Sequence, residues 1–373
     1  MIPGPGAGKI RSANLDTHFR LTRGHNMSAN ATASGKLPTE LKDRRATRGR
    51  RISPEGENGF YETWYPVCLS ADVAPGQVLG RPFLDGRVVV FRGANGVARV
   101  MSAYCRHFGA DLGTGGVVIG DELQCPYHHW RYGQDGACSH IAVSGPVPKQ
   151  ARLYTFPSVE KWGIVFAYYG ENETPVFQLP ELPIPKGALR TFGTFKFKLD
   201  ISLQFANSVD YQHLVVLHGL TMERYPEVTF DRYHMTQKNM VFSDSTRANG
   251  ARFGLDVAIY GTSILIFGGD ISGQPIYFAI LGTPITSEGV SYGYTVTTVP
   301  HGGDDPQSAA ATTESLIQWE KWAHRLMVED DKPIMDTVSF RQDAFLAQDK
   351  YVAEYLRYLE RYPRVHPAED FIK

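Results

Sequence analysis

Between Phe60 and about Gly170, apolar residues fall in short runs separated by glycine turns, the pattern of small antiparallel strands. Val88–Phe91 and Val97–Val100 flank the segment Gly93 to Gly96, which predicts a hairpin closed by a short glycine loop. Asp85-Gly86 marks a further turn, and Trp162–Tyr169 reads as a buried strand. A stretch containing Pro175, Pro180, Pro183 and Pro185 follows and suits a linker or domain-edge loop. The pattern then changes. Phe192, Phe195 and Phe197 predict a strand near the start of a second domain at about Leu189, and residues 203–218 predict a helix. Strand-like runs recur at Tyr233–Phe242, Ala258–Phe267, Pro275–Leu281 and Val290–Val299. Helical segments cover roughly Gln307–Val328 and a C-terminal stretch to about Arg361. Helix, long antiparallel sheet and helix in that order suggest an α+β chain, with a small all-β domain over 56–172 and a larger one over 173–373.

Residues 1–55 read as a basic tail with little apolar periodicity. They carry 11 Lys/Arg against 4 Asp/Glu, leaving 27 against 35 for the rest. Arg44, Arg45, Arg48, Arg50 and Arg51 offer a contact for an acidic partner, or simply a solvated tail. The whole chain has a formal net charge of −1, so composition gives no electrostatic case for nucleic acid or an acidic membrane. Its four cysteines are too few for a disulfide framework and point to a reducing, cytoplasmic setting. No apolar run approaches the ~18 residues needed to span a bilayer.

Two of those cysteines change the picture. Cys105-Arg106-His107 is followed, after seventeen residues, by Cys125-Pro126-Tyr127-His128. Each tight loop offers one thiolate and one imidazole. In a Rieske [2Fe–2S] centre two Cys hold one iron and two His hold the other, and neutral imidazoles make the cluster easier to reduce. Structural zinc sites usually pair Cys with Cys and His with His, so a zinc module is the weaker reading. The stretch CRHFGADLGTGG…CPYHHWRYGQDGAC resembles the cluster-binding region of the Rieske non-haem iron oxygenases. His129 departs from that pattern, which commonly has glycine there. Its role is either to tune the cluster or none beyond an exposed substitution. Cys138 is not a ligand in the pattern, and Cys68 reads as a core residue.

A second constellation lies in Asn207-Ser-Val-Asp210-Tyr-Gln-His213-Leu-Val-Val-Leu-His218. His213 and His218 are five residues apart, or roughly 140° around a regular α-helix. A π-bulge or a break is needed to aim both at one ion. Two His with one carboxylate form the facial triad of non-haem Fe(II) oxygenases. The resemblance implies a late aspartate in Glu329-Asp330-Asp331, with Asp331 placed first and Asp330 second. It also implies that Asp210 hydrogen-bonds an iron-ligand His and a cluster-ligand His of the neighbouring subunit, and that Asn207 stands near the iron.

The resemblance implies a small all-β Rieske domain followed by a helix-grip-like catalytic domain. It implies a terminal oxygenase using a [2Fe–2S] cluster, a mononuclear Fe(II), O₂ and electrons from a separate reductase or ferredoxin, acting as a homotrimer. No dinucleotide-binding glycine pattern follows a strand, so a separate electron donor is expected. The expected substrate is an apolar ring compound, aromatic or steroid-like. Phe205, Val209, Leu214 and Leu217 are expected to lie over the iron, and Tyr260, Ile264, Ile266 and Phe278 are candidate pocket walls. The alternative is a Rieske-type electron-transfer protein with an inactive second domain.

Overall fold

The structure is a computed structural model that describes residues 52–182, 188–245, 250–339, 344–365 and 371. The expected basic tail therefore lies outside the described residues, except for its last four. Those four are not tail-like, since Ile52 and Glu55 are buried in the core of the larger domain. Three small antiparallel sheets build the first part of the chain. Val78–Phe83, Gly86–Arg92, Ala98–Ser102 and Thr155–Phe156 form one. Thr63–Leu69, Ile164–Tyr169 and Ser158–Lys161 form the second. Four short strands between Val117 and His140 form the third.

The unbroken apolar run at Val88–Phe91 has a simple cause. Side chains on a strand alternate between faces. Val88 and Val90 pack with Val165 and Ala167 between two sheets, whereas Val89 and Phe91 pack beneath the Cys105 and Cys125 loops. Both faces are buried, so both must be apolar.

The second part is an antiparallel sheet with helices on one face. We label its strands β1 (Leu189–Phe197), β2 (Thr221–Arg224), β3 (Glu227–Phe230), β4 (His234–Asp244), β5 (Ala251–Tyr260), β6 (Ile264–Ile271), β7 (Gln274–Ile285) and β8 (Val290–Val299). The order across the sheet is β1-β8-β7-β6-β5-β4-β2, and β3 also pairs with β4. The run Ala258–Phe267 is not one strand, as the sequence pattern suggested. Gly261, at φ +63°, turns the chain between β5 and β6, and a Cβ there would stand 2.0 Å from the Thr63 hydroxyl. On one face of the sheet Ile264, Ile266, Ala279 and Leu281 pack against Ile164, Phe166 and Tyr168 of the first domain. On the other, Phe253, Leu255, Leu265 and Ile280 face the helices.

The predicted helix at 203–218 is broken. It comprises α1 (Ile201–Gln204), a 3-10 stretch (Phe205–Val209) and α2 (Tyr211–Val216). Asp210 lies between them with non-helical backbone, and its carboxylate accepts from the His213 N–H at 3.0 Å, starting the second helix. Later come α3 (Pro306–His324), a π-helical stretch (Arg325–Asp331), a short turn (Lys332–Met335) and α4 (Lys350–Arg361). Asp305 caps α3 by accepting from Gln307 and Ser308. The Tyr355 hydroxyl of α4 donates to the Ser202 carbonyl at 2.7 Å, and the Glu55 N–H donates to Asp200, so the site-bearing segment is held from both ends of the chain.

Glu55 is fully enclosed. Its Oε2 accepts from the Tyr65 hydroxyl at 2.8 Å while Oε1 has no partner. Burial, reinforced by Asp200, pushes its carboxyl up to about 8. A carboxyl whose folded value is raised favours the folded state at low pH and loses that advantage as pH rises towards 8. The loss from this group is on the order of 3 to 5 kcal/mol across that window. Glu55→Gln should therefore gain stability relative to the parent between pH 5.5 and pH 8.5. Urea midpoints at the two pH values check this, and an unchanged difference between the proteins would refute it.

Candidate metal centres

The two cysteine–histidine loops meet at the tip of the first domain. Cys105 follows the strand Ala98–Ser102, and Cys125 and His128 lie between Glu122–Gln124 and Arg131–Tyr132. Each loop is closed by backbone bonds. Cys105 N–H donates to Ala110 and Gly109 N–H to Cys105, while Cys125 N–H donates to Trp130. Both cysteines are buried, and His107 is exposed. The His107 and His128 Nδ1 atoms face each other at 3.2 Å. Two imidazoles on one tetrahedral ion at ~2.0–2.1 Å would stand about 3.4 Å apart. A single tetrahedral ion would also bring all four ligand atoms within about 4 Å of one another. Among the described residues these four do not form such a group. The arrangement is thus a histidine pair and a cysteine pair, which fits a two-iron cluster better than one zinc ion.

Further residues complete this tip. The Trp130 ring stacks on His107 at 4.4 Å and 7°. The Tyr132 hydroxyl lies 3.1 Å from Cys105 Sγ and accepts from the Arg106 N–H. Burial pushes the Cys105 thiol up, and the tyrosine works against that. Neither role was visible in the sequence, although both residues sit inside the motif. His129 has φ +57° and is exposed, with no hydrogen bond or ring contact among the described residues. A left-handed backbone is why glycine suits this position. Cys138 is half-buried and apart from the cluster loops, and Cys68 is buried in the core.

The structure brings His213, His218 and Asp331 together. One ligand atom from each lies within 4.8 Å of the others, the only such group of His, Cys, Asp and Glu among the described residues. The helix end solves the five-residue spacing. Leu217 and His218 N–H both point at the His213 carbonyl, at 2.8 and 3.4 Å, and Gly219 turns away at φ +70°. The expected π-type winding is more extensive elsewhere, in Arg325–Asp331, where it carries Asp331.

Each imidazole has its other nitrogen occupied. His213 Nδ1 lies 2.6 Å from the Asp210 carbonyl oxygen, and His218 Nδ1 lies 3.3 Å from Asp330 Oδ2. Their Nε2 atoms point towards Asp331 Oδ1, at 3.9 and 3.0 Å. The 3.0 Å approach is off the line of an N–H, so this buried oxygen has no hydrogen bond. A buried, unpaired carboxylate oxygen between two imidazole nitrogens is a place for a cation. Burial lowers the His213 pKa and keeps the ring neutral, as a ligand must be. Burial also opposes charge on His218, but Asp331 and Asp330 more than offset it and raise its pKa. Asp331 and Asp330 thus take different positions, the first in the group and the second behind His218.

Among the described residues the Asp210 carboxylate makes no hydrogen bond to the His213 ring. It caps the backbone, and only its carbonyl meets the imidazole. Asn207 lines a cavity of about 130 Å³ that opens from the His213–His218–Asp331 group between the sheet and α3. Leu214 and Phe278 line it as expected. Phe205, Val209, Leu217, Tyr260, Ile264 and Ile266 do not. The turn at Gly261 puts Leu265 and Phe267 on the cavity face in place of Ile264 and Ile266, the one-residue slip that reverses a strand. Among the described residues, no Lys or Arg lines the cavity. Two of its buried polar atoms, Gln204 Oε1 and Thr297 Oγ1, have no partner.

Removing the hydrogen bond to Cys105 should destabilise the more negative, reduced cluster. Tyr132→Phe should keep the cluster's absorbance and lower its reduction potential by on the order of tens of millivolts. A redox titration measures this, and an unchanged potential would remove Tyr132 from the cluster's environment.

Residues 63–157 match the family model for the Rieske [2Fe–2S] domain. Cholesterol 7-desaturase nvd of Bombyx mori is 31% identical over 189 residues, which is 48% of this chain and 40% of that protein. Aminopyrrolnitrin oxygenase PrnD of Pseudomonas fluorescens is 31% identical over 210 residues, or 52% and 55%. The chain thus spans about half the length, or less, of these curated relatives. Dicamba monooxygenase bound to 3,6-dichlorosalicylic acid shares the fold, with a TM-score of 0.66 and 19% identity over 81% of this chain and 97% of that one. No helix among the described residues is long and apolar enough to cross a membrane. Residues 63–157 are thus a Rieske [2Fe–2S] domain, joined in this chain to a larger α+β domain, and the whole has the fold of dicamba monooxygenase.

Proposed function

We propose that this chain is the terminal oxygenase of a multicomponent system, oxidising a neutral apolar ring compound with O₂ and electrons from a separate reductase or ferredoxin. The observation that carries this reading is the convergence of His213, His218 and Asp331 at the polar end of an otherwise apolar cavity, in the same chain as the cluster loops. An electron carrier with an inactive second domain would have no use for that arrangement. In this reading Cys105 and Cys125 hold one iron of the cluster and His107 and His128 the other, while His213, His218 and Asp331 hold the mononuclear iron. When bound, the two centres supply single electrons and dioxygen activation.

The chain's own residues do the rest. The Asp210 carbonyl and the Asp330 carboxylate set the orientation of the two imidazoles. Leu265, Phe267, Ile276 and Phe278 exclude water from the space beside them. The apolar lining, with no Lys or Arg among the described residues, argues for a neutral substrate, aromatic or steroid-like. The unpaired oxygens of Gln204 and Thr297 suit a small uncharged polar group on it. Bombyx mori nvd is named for cholesterol, which is in keeping with the steroid-like class.

Assembly as a homotrimer has its own support. Phe108, Tyr127 and Val143 are exposed beside the cluster loops, and Val216 and Tyr225 are exposed near Asp210. Asp210 Oδ2 accepts no hydrogen bond among the described residues. In a ring of subunits that carboxylate would meet the exposed His107 or His128 of a neighbour, and apolar side chains would flank the contact.

Iron and acid-labile sulfide analysis with electron paramagnetic resonance of the reduced protein tests the proposal. About three iron and two sulfide per chain are expected, with a Rieske-type signal. Two iron, with no further Fe(II) taken up on addition, would favour the electron carrier. Asp331→Asn should lose the mononuclear iron and keep the cluster signal. Asp330→Asn should bind that iron with affinity weakened by roughly 10- to 100-fold. Equal behaviour of the two variants would overturn the division of roles.

A further inference from the structure

A second cavity, of about 840 Å³, lies at the surface beyond the first. The two share Trp319 and Ile271. They are also consecutive along the same elements. On α3, Ser308, Thr312 and Ser315 line the outer space and Trp322 and Ala323 the inner one, with Trp319 on both, and Leu326 of the π-helical stretch continues the inner wall. On β7 the outer residues are Gln274 and Pro275, and the inner ones Ile276 and Phe278. On β5 the outer residue is Ala251, with Gly250 just before the strand, and the inner ones are Phe253 and Leu255. One groove therefore runs between α3 and the sheet from the surface to Asp331, divided at Trp319 and Ile271.

The two indoles at the division differ in how they are held. Trp322 donates from Nε1 to the buried Asp244 and stacks on Phe253 at 4.7 Å and 20°. Trp319 meets Phe253 and Trp322 only edge-on, at 5.9 and 6.1 Å, and is half-buried, with no hydrogen bond from its N–H among the described residues. Burial between two cavities, without an anchor, leaves its side chain room to turn on either side. Among the described residues the outer space is lined by uncharged side chains, including Ser272, Gln274, Ser308 and Ser315.

We propose that this outer cavity is the entrance by which neutral apolar compounds reach the metal end, and that Trp319, with Ile271, is the gate that controls their passage. This rests on the reading of the inner cavity as the substrate site. The gate sets the rate of entry and exit and selects by width, and the polar, uncharged rim admits molecules without an ionised group.

The test follows a small neutral thiol reagent, methyl methanethiosulfonate, into the cavity. Leu265→Cys places a thiol on the inner wall, and its labelling is read by peptide mass mapping in the cluster-loaded protein. Adding Trp319→Ala or Ile271→Ala should speed labelling by about tenfold or more, and Ser315→Trp, which fills the entrance, should slow it similarly. Ala311→Trp serves in place of Ser315→Trp if that variant loses its cluster absorbance. Rates that ignore all of these substitutions would overturn the gate, even if an apolar compound is turned over. Rates that follow them, in a protein that oxidises no apolar compound, would leave the route standing and sink the proposed function.

Discussion

The least favourable group in the protein organises the rest. Asp331 is buried, and one of its oxygens has no hydrogen bond although two imidazole nitrogens face it. An ionised carboxylate taken out of water without partners costs several kcal/mol, and a neutral His213 does not restore that. A cation at this point balances it, either a proton on His218, whose pKa the two aspartates raise, or a metal ion held by all three donors. The polypeptide must therefore hold three donors apart at a distance where they would not choose to rest. It does so with irregular backbone at each: a helix broken before His213, a helix ended at His218, and π-winding under Asp331. The Tyr355 and Glu55 contacts at Ser202 and Asp200 anchor the first of these segments. The buried Tyr211 hydroxyl adds a bond to Gln237, whose amide in turn donates to the Ser208 carbonyl.

The contrast between the two centres explains how much of each could be read from sequence. The Cys105–His128 loops are local. Their ligands lie within two short turns closed by their own backbone bonds, so spacing alone carries the geometry. The Trp130 and Tyr132 contacts are equally local, but stacking and thiol hydrogen bonding leave no spacing signature. The other centre joins residues more than a hundred positions apart. Sequence pattern gave the histidines and narrowed the carboxylate to two adjacent aspartates. Only the family resemblance ranked Asp331 ahead of Asp330; helical spacing could not, because a π-helical stretch advances each residue by a different angle from an α-helix. The two turn out to be neighbours with distinct partners.

The sheet was legible in outline and misread in phase. Val290–Val299 is a strand with the expected ends, because apolar and polar positions there reflect an unbroken element. In Ala258–Phe267 both faces are buried, one against the first domain and one against the cavity, and the periodicity that would fix register vanishes. The turn at Gly261-Thr-Ser263 then passes unnoticed within the run. Its Ser263 hydroxyl is satisfied by the first domain, donating to the Trp64 carbonyl at 2.5 Å. A contact across domains thus decides which residues of β6 face the cavity, information no local window contains.

The same geometry ties access to chemistry. Helix α3 begins beside the outer cavity, passes Trp319 at the division, and continues into the π-wound stretch that ends on Asp331. Trp319 has no hydrogen bond among the described residues and only edge-on ring contacts, whereas Trp322, one turn on, is bonded to Asp244 and stacked on Phe253. Motion at the entrance can therefore be absorbed by one side chain without moving the helix that carries the carboxylate. Close-packed interiors transmit strain, so a mobile group near a precise one must be separated from it by something held firmly. The stacked set Phe242, Phe253 and Trp322 supplies that separation, with ring centroids 4.6 and 4.7 Å apart along the row. An entrance that yields and a metal end that does not are thus compatible on a single helix.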